Sequence, residues 1–202
     1  QVEVDPSPRA WSGGIYDEGR REWLYIPNIN PEGKKAFRTG AQWNHYRVEA
    51  IGNTIRTWVN DVPVAFLVDT LVEKGFIALQ VHAVGKPEEA GKKVRWRNIR
   101  IQTGAAMHPR PTDQCPVLNF NLNDLCEQEK KQGWQLLFNG KNLGGWRSAF
   151  KTTPPDGGWV VQNGILKIQG SDGSESRSYG DILTVDSFSA FELTFDFKLT
   201  EG

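Results

Sequence analysis

Methionine occurs once, cysteine twice and histidine three times in 202 residues, so chemistry that needs clustered sulfur or imidazole has little to draw on. Cys115 and Cys126 have no C-x-x-C partner and no histidines at zinc-finger spacing, which argues against a structural zinc. They fit equally well a disulfide closing a short loop in an oxidising compartment or two free thiols. Charge of one sign is also missing: 24 basic side chains balance 24 acidic ones, leaving no positive field to hold a polyanion. Nucleic acid is therefore excluded as an expected partner. No apolar run reaches membrane-spanning length, so no membrane span is expected. Residues 1–5 alternate like a strand and do not resemble a leader, so the natural start is expected to lie upstream. No helical pattern is long enough for a βαβ unit, which leaves an all-β class.

What is abundant fits that class. Eight Trp, ten Phe and 21 Gly are the material of aromatic-lined β-structure, although a sandwich core uses the same residues as a sugar site. Residues 45–51 and 54–60 alternate on either side of Gly52-Asn53 and predict a hairpin. Asn60-Asp61 marks a second turn before residues 62–68, and residues 75–82 and 94–102 predict two more strands at sandwich-like spacing. From about 103 to 133 the pattern breaks, because Pro109, Pro111 and Pro116 lack the N–H that a ladder needs. The end of that stretch, 123–133, has a capping residue in front, acids before bases and glycine behind, which predicts a short helix. Beyond it, Asn163-Gly164 sets a hairpin between 159–162 and 165–169, and residues 191–199 alternate Phe and Leu with polar residues.

The order of these segments is unusual. Residues 134–146, the hairpin at 159–166 and the strand at 191–199 resemble the N-terminal half of the 3-keto-disaccharide hydrolase family, a group with a concanavalin-like jelly-roll. Residues 1–5, Gly14-Ile15-Tyr16, 43–47, 79–82 and 97–101 resemble its C-terminal half. The resemblance implies an antiparallel jelly-roll β-sandwich, divided here into a C-terminal half at 1–103, a linker with a short helix at 104–133, and an N-terminal half of a second or permuted domain at 134–202. An excerpt from a tandem protein is the favoured explanation, with a permuted single sandwich as the other. One inner strand is missing from the pattern, so complementation within a tandem or between copies is expected, and an isolated monomer is expected to be inactive.

The resemblance also implies hydrolysis of 3-keto-glycosides by elimination and hydration in a periplasmic or secreted protein. A ketone at C3 acidifies the C2 proton and sets the C1 oxygen β to the carbonyl. Such a site needs a base near C2, an electrophile at the ketone and an acid at the departing oxygen, unlike the paired carboxylates of ordinary glycosidases. A divalent cation could serve as the electrophile, but no spacing here indicates one. His82 is the expected base, sharing a strand face with Gln80. A structural histidine at a strand end is the competing reading. Gln1, Glu3 and Asp5 share a face by period two, and Tyr16-Asp17-Glu18-Gly19-Arg20-Arg21 gathers a hydroxyl, acids and guanidiniums in a loop. Glu18 and Glu3 are the expected acids. Gln1, Tyr16, Arg21, Trp43 and Gln80 are the expected substrate contacts, with Arg21 on the polarised oxygen and Trp43 either stacking on a sugar or packing under the sheet. Arg95, Arg97 and Arg100 are expected at a sheet edge, and the polar loop 170–174 carries no phosphate cradle. The alternative to the enzyme is a non-catalytic carbohydrate-binding module.

Overall fold

The computed structural model describes residues 1–80, 87, 91, 94–104, 110–111, 115–169 and 180–199. Its chain divides into two compact units, Gln1–Asn121 and Leu122–Gly202. The first unit opens with a hairpin of β1 (Ile15–Asp17) and β2 (Glu22–Tyr25), followed by a 3-10 turn at Pro27–Ile29 and one turn of helix, α1 (Pro31–Lys34). Proline at the start of α1 gives up an N–H that has no partner there, and the Asn30 side chain accepts from the Gly33 N–H at 3.0 Å. A four-stranded sheet follows in the order β3 (Tyr46–Ile51), β4 (Thr54–Val59), β5 (Val62–Val68), β6 (Val117–Asn119).

Turn chemistry sets this sheet's register. Asn60 and Asp61 both adopt positive φ, 50° and 66°, as a two-residue turn matching the strand twist requires, and Val59 faces Val62. The central strands are buried beyond the single face that their alternation predicts: Trp58 and Arg56 are covered as well as Thr57 and Val59. The Arg47 and Arg110 guanidiniums lie over the Trp58 ring at 5.9 Å, and the Arg110 carbonyl accepts from Arg56. On the other side Gly13 approaches so closely that a Cβ there would lie 3.0 Å from Val59 and Val64, at a φ of +85° that favours glycine.

The register of β4 on β5 shifts between Thr57 and Trp58, and the buried Thr57 hydroxyl repairs the ladder there. It donates to the Gly13 carbonyl at 2.6 Å and accepts from the Ala65 N–H at 3.1 Å. Thr57→Val keeps the shape and strands both backbone groups, so unfolding free energy in urea is expected to fall by about 2 kcal/mol or more.

Two expectations change here. The proline-rich stretch does contribute a strand: β6 lies parallel to Phe66–Val68 directly after Pro116. Proline is tolerated just before a strand's first residue, and the Tyr25 hydroxyl, donating to the Pro116 carbonyl at 2.8 Å, pins it there. Conversely, the described parts of the expected strands at 75–82 and 94–102 are in no sheet. Their apolar residues are exposed, because alternation makes a strand only where a neighbouring strand supplies the ladder.

In the second unit β7 (Trp146–Ser148) pairs with β10 (Ile182–Thr184), and β8 (Trp159–Gln162) with β9 (Ile165–Ile168). The β8–β9 turn is the expected Asn163-Gly164, with φ of 54° and 76°. Asn139 shapes a turn by accepting from the Lys141 and Asn142 N–H groups, and Trp146 donates to the Leu137 carbonyl at 2.7 Å. The helix α2 is shorter than its pattern, Glu127–Lys131, with the Cys126 N–H donating to the Glu129 carboxylate at 2.7 Å. Residues 191–199, expected as a strand, are in no sheet. Cys115, buried in the first unit, and Cys126 are free thiols. Among the described residues no helix is long and apolar enough to cross a membrane. Among the described residues the chain is thus all-β, antiparallel except for β5–β6, with two short α-helices.

Candidate functional site

Three of the expected site residues, Gln1, Glu18 and Gln80, come together where the leading segment runs antiparallel to β1. Gln1 exchanges main-chain hydrogen bonds with Tyr16, at 2.6 and 3.0 Å, and Val2 bridges Ile15. This pairing sets Gln1 beside the β1–β2 turn, where its amide donates to the Glu18 carboxylate. Gln80, 62 positions further along the chain, donates to the same oxygen, Oε2, at 3.4 Å. Gln1, Glu18 and Gln80 therefore meet at one carboxylate oxygen. His82 lies outside the described residues.

The turn carrying Glu18 is held by ion pairs. Asp17 receives Arg20 at 2.6 Å and Arg21 at 2.9 Å, and Arg21 reaches across to Asp69, beyond the end of β5, at 2.6 Å. The Arg21 guanidinium holds the Asp17 and Asp69 carboxyls below the usual carboxylate range, outweighing the opposing effect of burial. The hydrogen bonds that Arg21 donates to Asp69 and then to Asp17 keep it charged well above its ordinary range. Arg21 thus already has two carboxylate partners, and its guanidinium also lies 5.8 Å from the Phe120 ring centre. Asp69 was not singled out from the sequence. A partner 48 positions away leaves no local pattern, and only the β5 register brings it there.

The polar file at the start of the chain divides. Glu3 pairs with Arg9 at 3.3 Å and stays partly exposed. Asp5 is 5% exposed and serves as a structural acceptor for the Ser7 N–H, the Arg9 guanidinium and the Trp11 N–H. It does not share an open surface with Glu3. Burial raises the Asp5 carboxyl, but these hydrogen bonds outweigh it and hold the group at about 2, against 3.8 in an unstructured chain. A depressed folded-state value means that its stabilisation is complete above 3.8 and disappears as pH falls toward 2. Denaturation measured across that window is expected to show a stability loss that Asp5→Asn reduces. Burial pushes the nearby Tyr46 phenol up to about 12, so it stays protonated at neutral pH.

The aromatic residues form two groups. Tyr16 packs on Trp23 at 4.9 Å and Trp23 on Trp11 at 4.7 Å, with the Arg9 guanidinium over both indoles. Trp43 is 44% exposed, so it is not packed under a sheet, and the Arg97 guanidinium covers its ring at 3.9 Å. Its neighbour Asn44 closes a loop by exchanging hydrogen bonds with Arg38. Among the described residues no group of three or more His, Cys, Asp or Glu side chains could hold a metal ion.

Residues 1–102 and 133–202 match the family described as the 3-keto-alpha-glucoside-1,2-lyase-like domain. The chain belongs to that family. All the residues gathered around Glu18 fall in the first matched stretch of this lyase-like domain. A relative named 3-keto-disaccharide hydrolase, from Bacteroides thetaiotaomicron, is 33% identical over 72 residues, or 35% of this chain. The chain spans only about a quarter of that relative's length, 24%.

Proposed function

We propose that the chain acts on 3-keto-glycosides by elimination across C1 and C2 followed by hydration. The family description names a 1,2-lyase and the relative's name a hydrolase, and this one sequence of steps contains both. A base takes the C2 proton, the C1–oxygen bond breaks as the C1–C2 double bond forms, and the departing oxygen takes a proton. Water then adds its hydroxyl to C1 and a proton returns to C2, so the net reaction is hydrolysis. The observation that carries the reading is the convergence of Gln1 and Gln80 on Glu18, which gives a carboxyl group of fixed orientation between two amides suited to sugar hydroxyls.

His82 is the base in this reading. Glu18 supplies the proton to the leaving oxygen: both amides meet Oε2, which leaves Oε1 to carry it. Glu3 is a second carboxyl group on the same leading segment, and Tyr16 and Trp43 offer a hydroxyl and an exposed ring to the sugar. Arg21 acts on the ketone oxygen only if it swings from Asp69, and otherwise fixes the turn that bears Glu18. The proposed compartment is periplasmic or extracellular, following the family resemblance.

The test is hydrolysis of a 3-keto-glucoside by the full chain in D₂O. Elimination and hydration place solvent deuterium at C2 of the released sugar. Release without deuterium at C2 rejects the mechanism, and binding of the unoxidised glucoside with no turnover of either sugar favours a binding module.

A further inference from the structure

Trp43 and Glu18 are anchored at opposite ends of β5. The loop that carries Trp43 is tied to the turn before that strand: the Asn60 amide donates to the Ala36 carbonyl and to the Asn44 side-chain oxygen, both at 2.8 Å, and the Asn60 side-chain oxygen accepts from the His45 N–H at 3.0 Å. The turn that carries Glu18 is tied to the residue after the strand, through Arg21 and Asp69. The seven residues Val62–Val68 lie between these anchors, and at about 3.3 Å each they hold them roughly 20 Å apart, about the length of four linked pyranoses. A disaccharide with its scissile bond at Glu18 therefore does not reach Trp43.

The Trp43 ring is nevertheless built to be met. Trp58 is buried and Trp11 and Trp23 pack on each other, whereas Trp43 is 44% exposed with the Arg97 guanidinium 3.9 Å from its ring centre. Five hydrogen bonds from the Asn44 and Asn60 side chains fix the loop beneath it, so the indole needs little further ordering when a ligand packs against it. An indole beside a guanidinium offers what a pyranose uses: an apolar surface for its C–H face and N–H donors for its hydroxyls.

We propose that Trp43 and Arg97 form a distal subsite for the leaving group, so that the substrate is an oligosaccharide of about four or more sugars, oxidised at C3 of its terminal residue. This rests on the reaction proposed above. In that reaction the bond from C1 of the oxidised sugar breaks toward the rest of the chain, so everything beyond the departing oxygen is leaving group. Glu18 protonates that oxygen, and Trp43 holds the far part of the same departing chain. Binding energy gained there helps to seat the reacting end.

Turnover by the full chain of maltose through maltohexaose, each oxidised at C3 of the non-reducing glucose, tests this. The ratio kcat/KM is expected to rise with length and to level off at about four sugars. Trp43→Ala is expected to cut the advantage of the tetrasaccharide over the disaccharide about tenfold, chiefly through KM, and Trp43→Tyr to restore most of it. The residue's exposure keeps either change out of the core. An equal loss on every length in Trp43→Ala overturns the proposal, and so does a wild type indifferent to length. Calorimetry with the unoxidised sugars separates this subsite from the reaction. If no oxidised sugar is turned over, the reaction fails, yet maltotetraose binding more tightly than maltose, with the difference lost in Trp43→Ala, still upholds the contact at Trp43. Equal affinity for the two, or none for either, overturns it.

Discussion

Glu18→Gln is expected to lower turnover of a 3-keto-glucoside with an alkyl or sugar leaving group by about 10²–10⁴-fold, the range over which a positioned general acid acts. The substitution is close to isosteric, and a glutamine carbonyl can still accept the Gln1 and Gln80 amide hydrogens, so binding should change little and the loss should fall on kcat. A leaving group that departs without a proton separates this role from a structural one. With a p-nitrophenyl 3-keto-glucoside, Glu18→Gln should recover most of the wild-type rate, because nitrophenolate needs no acid. An equal loss on both substrates would reject Glu18 as the proton donor. His82→Ala should behave differently, losing turnover on both substrates and C2 proton exchange with solvent, since proton removal precedes departure whatever the aglycone.

The local features of this fold were legible in the sequence, and the reason is the range over which each signal acts. Asn60-Asp61 and Asn163-Gly164 dictate their hairpins because two residues at positive φ decide the turn without help from the rest of the chain. The turn at Glu18 could be read for the same reason, whereas the leading segment, expected as a strand over residues 1–5, forms only an isolated bridge from Val2 to Ile15. The strands expected at 75–82, 94–102 and 191–199 were equally clear as patterns, yet their described residues are in no sheet, because a ladder is a property of two segments and alternation describes one. β6 was obscured in the opposite way: Pro116 argued against pairing, while the Tyr25 hydroxyl that anchors it is 91 positions distant. The Asp17–Arg21–Asp69 bridge was half visible, its near members in the loop and its far one only in the register of β5.

The largest stability effect is expected from Leu67→Ala. Leu67 is fully buried in β5, facing Ile55 on one side and Leu118 on the other, so truncation removes packing from three strands at once. Truncating a buried leucine costs about 2–5 kcal/mol, and the upper part of that range applies where neighbours cannot collapse into the space. Here both neighbours are fixed by their own ladders, which limits collapse. A loss of that size is a large fraction of the roughly 5–15 kcal/mol that holds a domain folded, so the urea midpoint of the first unit should fall sharply. Leu193→Ala, at a residue 53% exposed, should shift the second unit's midpoint very little. The consequence for the site is specific. Asp69 directly follows β5, and through Arg21 it steadies the turn that presents Glu18, so amide exchange in Leu67→Ala should speed up at residues 17–21 as well as in β4 and β5. Faster exchange in the sheet with an unchanged turn would mean that Arg21 and its carboxylates hold Glu18 independently of the core beneath them.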